Sequence, residues 1–446
     1  MAEAMPAFQA LSHGSESPAL TMTVGNNTHG YINETRVALY SFFSRHLLNT
    51  VDSGIEAQPA FLSFVEMRCT TTGSVLTAPE LNQGHGSVTV HQAFVVPQTQ
   101  DNLNTLQGRR KSDPSSFLKH VRSSVGDVVG FSPLPATAPV ARQLSNGTNG
   151  AMRFSLPGEG RCQVGLEVRL PPTSESHLHS SIDGGKHHHQ QARQQLAVLY
   201  VSRKGSTLAK PRPGELSEVE EHRLTDVVQA GFAVVLVDVC GFGTLADQAG
   251  DAFGLFDLPS RDYRTKESHP VDAMYNVGRS LVGLHAADVL RAAQWTQGVM
   301  KMTVVATVSA NETAAAVLVA ALVSKGTPSV EDPTVPQIQL GGIALVSSVA
   351  AWSQIALEPR YDMSSYYAFV FGVLQHFDLP DIVAALNASV LVAQPLNALR
   401  QPVNETVAAT VYSFSNAHNK RLDVKAGASL GAAQLTDALM QWLRSL

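Results

Sequence analysis

The sequence predicts a doubly wound α/β domain, a mostly parallel sheet covered by helices on both sides, from about residue 153 to the C-terminus. Three observations predict it. Short runs apolar on both faces recur at LAVLYVS (196–202), FAVVLVDVC (232–240), MTVVATV (302–308), IQLGGIALVSS (338–348), SVLVAQP (389–395) and VAATVYSFS (407–415). Helical patterns fall between most of them, around 216–230, 285–297 and 312–326, with a last one at 432–445. Runs apolar on both faces that alternate with helices indicate strands buried on both sides, joined by right-handed crossovers.

The elements before these differ in character. RFSLPGEGRCQVGLEVRLPP (153–172) reads as an antiparallel hairpin. Residues 173–195 carry Ser, Gly and a histidine cluster that includes His187, His188 and His189. Such a cluster could bind a transition metal, but a biased tract between strands reads first as a solvated insertion, so no metal is assigned. Residues 31–48 place Val37, Tyr40, Phe43 and Leu47 on one helical face, an amphipathic helix that needs a surface to pack against. Residues 50–105 read as short strands and turns. The stretch 106–150, rich in Ser, Pro, Gly and Asn, reads as linker.

Composition excludes several functions. The net charge is −5 with no strongly basic block, so nucleic acid is not an expected partner. No run reaches the ~18–20 apolar residues that span a bilayer, and no membrane association is expected. The first twenty residues lack the basic start and apolar stretch of a secretory signal. Cys69, Cys162 and Cys240 are too few and too scattered for a disulfide framework or a zinc site, and Cys240, ending an apolar run, is expected to be buried. Six Asn-x-Ser/Thr triplets begin at Asn26, Asn33, Asn146, Asn311, Asn387 and Asn404; they would matter only on a secreted chain, and no compartment is assigned.

Ligands of such sheets lie beyond the carboxyl ends of the strands, so strand-to-helix junctions are where chemistry is sought. At MTVVATV-Ser309-Ala310-Asn311-ETAAAVLVAAL a strand turns into a helix within about three residues. That is the pattern of a nucleophile elbow, with Ser309 as nucleophile and Thr307 and Asn311 where the G-x-S-x-G pattern has glycines. A serine that only starts a helix is the competing reading. Triads of this kind run Ser, acid, His along the chain. His418, after the run ending at Ser415, is the expected base, and Asn397, after 389–395, stands at the acid position. An amide there cannot stabilise an imidazolium as a carboxylate does. Asp423 and Glu405 are alternative acids. The oxyanion hole would use the Ala310 N–H and a backbone N–H near Ser202–Lys204, centred on Arg203. GFGTLA (241–246) fits G-x-G-x-x-G/A with Asp262 about 20 residues on, but no helical period follows it. A dinucleotide site is therefore set aside and no cofactor is expected.

Residues 160–446 resemble the acetyl-xylan-esterase-like branch of the α/β-hydrolases, particularly bacterial members with two such domains in tandem. The matching stretches are LVDVCGFGT (236–244), SLVGLHAADVLRAAQW (280–295), VLQHFDLPDIVAAL (373–386) and SVLVAQPLNALRQPV (389–403). The family places a D-x-P-D helix before its acid-bearing strand, and Asp378, Pro380 and Asp381 fit that helix start. NTHGYINETRVALYSFFSRHL (27–47) resembles the end of a first hydrolase domain, with His29 at the position of that domain's catalytic histidine. The resemblance thus implies residues 1–50 as the end of a first domain, 51–152 as a connecting region and 153–446 as a second hydrolase domain. Second domains of this family often lack an intact triad. Two functions follow. One is a weakly active or degenerate esterase-lineage domain, a pseudoenzyme serving as a structural or interaction module, with a protein partner reached through the N-terminal helix. The other is an active serine carboxylesterase acting on a small ester or acetylated carbohydrate.

Overall fold

The computed structural model describes residues 20–25, 32–51, 60–71, 89–135, 137–144, 150–160, 162–172, 195–202, 217–241, 271, 274–326, 338–427 and 430–446. The chain divides into two compact units, residues 1–88 with 257–259, and residues 89–256 with 260–446. The first contains helix α1 (Asn33–Leu47), where the amphipathic pattern predicts one. None of its residues is buried. Tyr40, Phe43 and Leu47, the face expected to pack against a surface, are 40%, 47% and 73% exposed.

The second unit is built on one nine-stranded sheet: β1 (Arg142–Gln143), β2 (Met152–Pro157), β3 (Gln163–Arg169), β4 (Leu196–Ser202), β5 (Ala233–Asp238), β6 (Thr303–Ala310), β7 (Gly342–Val346), β8 (Val390–Ala393) and β9 (Leu422–Lys425). Their order is β1-β2-β3-β5-β4-β6-β7-β8-β9. The β2–β3 hairpin and its junction with β5 are antiparallel, and β4 to β9 run parallel. Each parallel strand is apolar throughout because both of its faces are covered. Along β4, Val198 and Tyr200 face helices α4 (Ser217–Gln229) and α11 (Ala432–Ser445), while Leu199 and Val201 face the layer of α5 (Leu281–Gly298) and α6 (Ala314–Gly326). Beyond β1, this order and this two-sided helix cover define the α/β-hydrolase fold.

Two expectations for secondary structure differ from the fold. The segment read as connecting strands and linker contains two helices, α2 (Val96–Ser112) and α3 (Pro114–Val129). Asp113 caps α3 by accepting from Ser116 N at 2.9 Å, Pro114 occupies its first turn, and Gly130 ends it at φ 66°. Leu106, Phe117, Val121, Val125 and Val129 are buried in the main core, at on the order of 2 kcal/mol for each large side chain. Ser and Gly on the other faces mask a period-four stripe.

The run at 407–415 is also helical, forming α9 (Glu405–Val411) and α10 (Ser413–His418), and the strand follows at β9. Its β-branched residues suggest a strand, yet Asn404 caps the segment by accepting from Val407 N, and Tyr412 and Ser415 turn inward at helical spacing. Between β7 and β8, α7 (Trp352–Leu357) and α8 (Leu379–Ala385) complete the helices named here. Helix α8 starts as expected from its D-x-P-D sequence. Asp378 caps it, Asp381 closes the capping box, and Arg110 of α2 holds the Asp381 carboxylate at 2.8 and 2.6 Å.

Cys162 and Cys240 form a disulfide, against the expectation that the scattered cysteines would not pair, and Cys240 is only half-buried. The two residues are 78 apart in sequence, but the antiparallel β3–β5 pairing brings their Cα atoms to 5.6 Å.

Candidate functional site: an elbow without its serine

The junction between β6 and α6 is a strand–elbow–helix, as its sequence suggests. The sharp turn, however, falls two residues later than Ser309. Ser309 still belongs to β6, registered with Val201 of β4 and Leu345 of β7, and is fully buried. Positive φ occurs at Asn311 (61°), which opens a single 3-10 turn, Asn311–Thr313, before α6. Asparagine enters left-handed backbone more readily than other non-glycine residues. In the elbow pattern the small flanking positions are therefore Ser309 and Thr313, and the apex is Asn311.

Ser309 Oγ lies 2.8 Å from Thr313 Oγ1, which donates to Val201 O at 2.9 Å. Thr313 has one proton and two carbonyls in reach, Val201 O and, at 3.3 Å, Ala310 O; with that proton on a carbonyl, Ser309 donates to Thr313. The two hydroxyls brace the last residues of β6 to the elbow and to β4. Thr307 also lies within the strand, donating to Leu340 O. Ala310, expected to serve the oxyanion hole, is the last strand residue. Arg203 and His29 lie outside the described residues, as do residues 173–194, 242–250 and Asp262.

The structure does not bring His418 to Ser309. His418 ends α10, is exposed, and packs its ring on Phe414 at 4.4 Å. It precedes β9 and so lies toward the amino edge of the parallel strands, whereas the elbow is at their carboxyl edge. Strands β6 and β9 are three steps apart, about 14 Å at ~4.8 Å per step. Beyond the carboxyl end of β9, where this fold would carry its base, the sequence reads Ala426-Gly427-Ala428-Ser429-Leu430-Gly431.

Asn397 does sit in the loop after β8, but it turns its side chain on its own loop. Its Oδ1 accepts from Leu399 N and Gln401 N, both at 2.9 Å, and its Nδ2 donates to Gln401 Oε1. The alternative acids are elsewhere. Asp423 pairs with Lys425 at 3.2 Å, and Glu405 is exposed in the first turn of α9.

What that loop delivers to the elbow is a cation. Arg400, itself at φ 62°, donates from Nη2 to Asn311 Oδ1 at 2.8 Å and from Nη1 to Glu312 Oε1 at 3.1 Å. Beside this contact lies a cavity of about 10 Å³, bordered by Asn311, Glu312, Val349, Ser365, Leu379 and Arg400. That is room for about one water molecule. The sequence signal for this arrangement was the small-x-Asn-x-small spacing of Ser309, Asn311 and Thr313. Nothing local announced Arg400.

A second polar cluster holds the end of β5. His285 Nε2 lies 3.0 Å from Cys240 O, and Asp288 Oδ2 accepts from Cys240 N at 3.0 Å, both from α5. Burial pushes the His285 imidazole down to about 4 and the Asp288 carboxyl up to about 6. Arg291 pairs with Asp288 at 3.0 Å. Among the described residues no group of three or more His, Cys, Asp or Glu side chains is placed to hold a metal. No described helix is long and apolar enough to cross a membrane.

Neither a protein-family model nor a curated protein matches the sequence. Among solved structures the chain is similar to a candidate acetyl xylan esterase from Bacteroides fragilis, at 15% identity over 71% of this chain and 77% of that one, with a TM-score of 0.44. It is similar to an acetyl xylan esterase from Paenibacillus at 14% identity over 77% and 99%, with a TM-score of 0.42. A third is acetyl xylan esterase 1 from Thermoanaerobacterium, at 12% identity over 74% and 93%, with a TM-score of 0.40. The fold assignment stands on the strand order and the helix layers of the chain itself.

Proposed function

We propose that this protein is an α/β-hydrolase-fold module of carboxylesterase lineage that does not turn over esters and acts as a structural or interaction domain. One observation carries the reading: the elbow apex is Asn311, and its side chain is hydrogen-bonded to Arg400. An asparagine amide is not a nucleophile that an elbow can activate, and the Asn311 amide is held by Arg400. The buried Ser309 is committed to Thr313, and His418 is exposed on another edge of the sheet. The unburied apolar face of α1 supports a protein partner in that unit, and residues 1–50 are read as the end of a first hydrolase domain.

The test is hydrolysis of p-nitrophenyl acetate by the purified chain, beside Ser309→Ala and Asn311→Ser. The expected result is a rate indistinguishable from buffer for the parent and Ser309→Ala. Parent turnover that disappears in Ser309→Ala would establish the active serine esterase instead and end this reading.

A further inference from the structure

Six of the sixteen asparagines begin Asn-x-Ser/Thr triplets, and the proposed function uses none of them as such. Ser and Thr make up about 15% of the chain, so sixteen asparagines would meet the pattern about two to three times by chance. Of the four triplets whose asparagine is described, Asn33, Asn387 and Asn404 are exposed, and Asn311 is half-buried.

The disulfide is an independent observation. Cys240 is fixed on three sides: its N–H by Asp288, its carbonyl by His285 and its sulfur by Cys162. The remaining cysteine, Cys69, is free and exposed. A bridge between residues far apart in sequence, within a built junction, belongs to chains that mature in an oxidising compartment; such bridges are rare where glutathione keeps thiols reduced. The same compartment of eukaryotic cells attaches glycans to Asn-x-Ser/Thr.

We propose that this chain matures in an oxidising, glycosylating compartment, with Cys162–Cys240 bonded there and Asn404, Asn387 and Asn33 as its N-glycan acceptors. In the transfer, the asparagine Nδ2 attacks the anomeric carbon of a polyprenyl-diphosphate-linked oligosaccharide. The C–O bond to the diphosphate breaks, an N–C bond forms, and the amide loses one proton. In bridge formation the two thiols pass two electrons and two protons to a disulfide oxidoreductase.

Asn404 is the acceptor whose fold role survives the change. Its Oδ1 caps α9 by accepting from Val407 N at 2.8 Å, and glycosylation substitutes the other amide atom. Asn387 lies in the connection from α8 to β8, two residues before Ser389, whose Oγ accepts from Trp442 Nε1 at 2.9 Å. Asn33 is the first residue of α1. Asn311 carries the same triplet but faces Arg400 and a one-water cavity, so a sugar there is incompatible with the folded elbow.

The experiment uses the full chain purified from its own cells. Alkylation without reductant reads the thiols, and peptide-N-glycosidase in heavy-oxygen water marks each deglycosylated asparagine in peptide mass spectra. The expected result is alkylation of Cys69 alone, with label at Asn404, Asn387 and Asn33, and none at Asn311. Asn404→Gln should remove one glycan mass, and Thr406→Ala should do the same while keeping the Asn404 cap. Alkylation of Cys162 and Cys240 would overturn the compartment. A bonded pair with no labelled asparagine, or label at Asn311, would overturn the acceptor assignment.

Discussion

If Ser309 is a brace and not a nucleophile, its partner Thr313 should matter as much as Ser309 itself, and in stability rather than rate. Thr313→Val keeps the shape of the side chain but leaves the Ser309 hydroxyl buried without an acceptor and Val201 O without that donor. Stranding a buried polar group costs about 1–3 kcal/mol, so the loss should be about 2–3 kcal/mol. Ser309→Ala removes one donor while Thr313 keeps its bond to Val201, for a loss of about 1–2 kcal/mol. The double variant removes both hydroxyls, so no stranded serine remains. Its loss should therefore fall short of the two single losses combined by about 1–2 kcal/mol. Urea unfolding at pH 7 measures all four proteins, with p-nitrophenyl acetate hydrolysis followed on the same samples. A coupling energy below about 0.5 kcal/mol, together with a fall in hydrolysis confined to Ser309→Ala, would refute the brace.

Four further outcomes are expected. His285, held near 4, is neutral in the folded chain but charged in the unfolded chain below its ordinary range near 6.5, so its contribution is present above that pH and is lost as pH falls toward 4, on the order of 3 kcal/mol; His285→Gln should flatten the fall in urea midpoint between pH 7 and pH 4.5. Asp381→Ala, which breaks both the Arg110 pair and the α8 capping box, should cost about 3–5 kcal/mol by the same unfolding assay, and Asp378→Ala should be additive with it only in part. Replacing Cys162 and Cys240 together by alanine should cost about 2–4 kcal/mol, given the 78-residue separation, and added reductant should then no longer alter the melting temperature. Phe43→Ser in the isolated chain should change stability by less than about 0.5 kcal/mol, and a loss above 1 kcal/mol would show that this face of α1 is covered.

Sequence alone determined the parts of this protein that depend on local pattern. The runs at 196–202 and 302–308 are apolar at every step because helices cover both faces of the sheet, and that requirement is written into the run itself. The hairpin at 153–172, the helix expected over 285–297 and the closing helix at 432–445 follow from periodicity, and the D-x-P-D start of α8 from the family resemblance. The stripe at Phe117, Val121, Val125 and Val129, bounded by Asp113-Pro114 and Gly130, carries the same kind of local signal within a stretch whose Ser, Pro and Gly content favours a linker.

Tertiary structure decided the rest. Whether 407–415 was strand or helix turned on which residues found the core, since β-branched side chains are admitted by both. The elbow's apex is set by where β6 stops pairing with β4 and β7; the tolerance of Asn311 for left-handed backbone permits that point, and the strand pairing fixes it. Arg400 reaches Asn311 across 89 residues of chain, and Cys162 reaches Cys240 across 78, because strands distant in sequence are neighbours in the sheet. His418 shows the converse. Its place in the sequence suited a catalytic base, but β9 follows it instead of preceding it, and a parallel strand puts its two ends on opposite edges of the sheet.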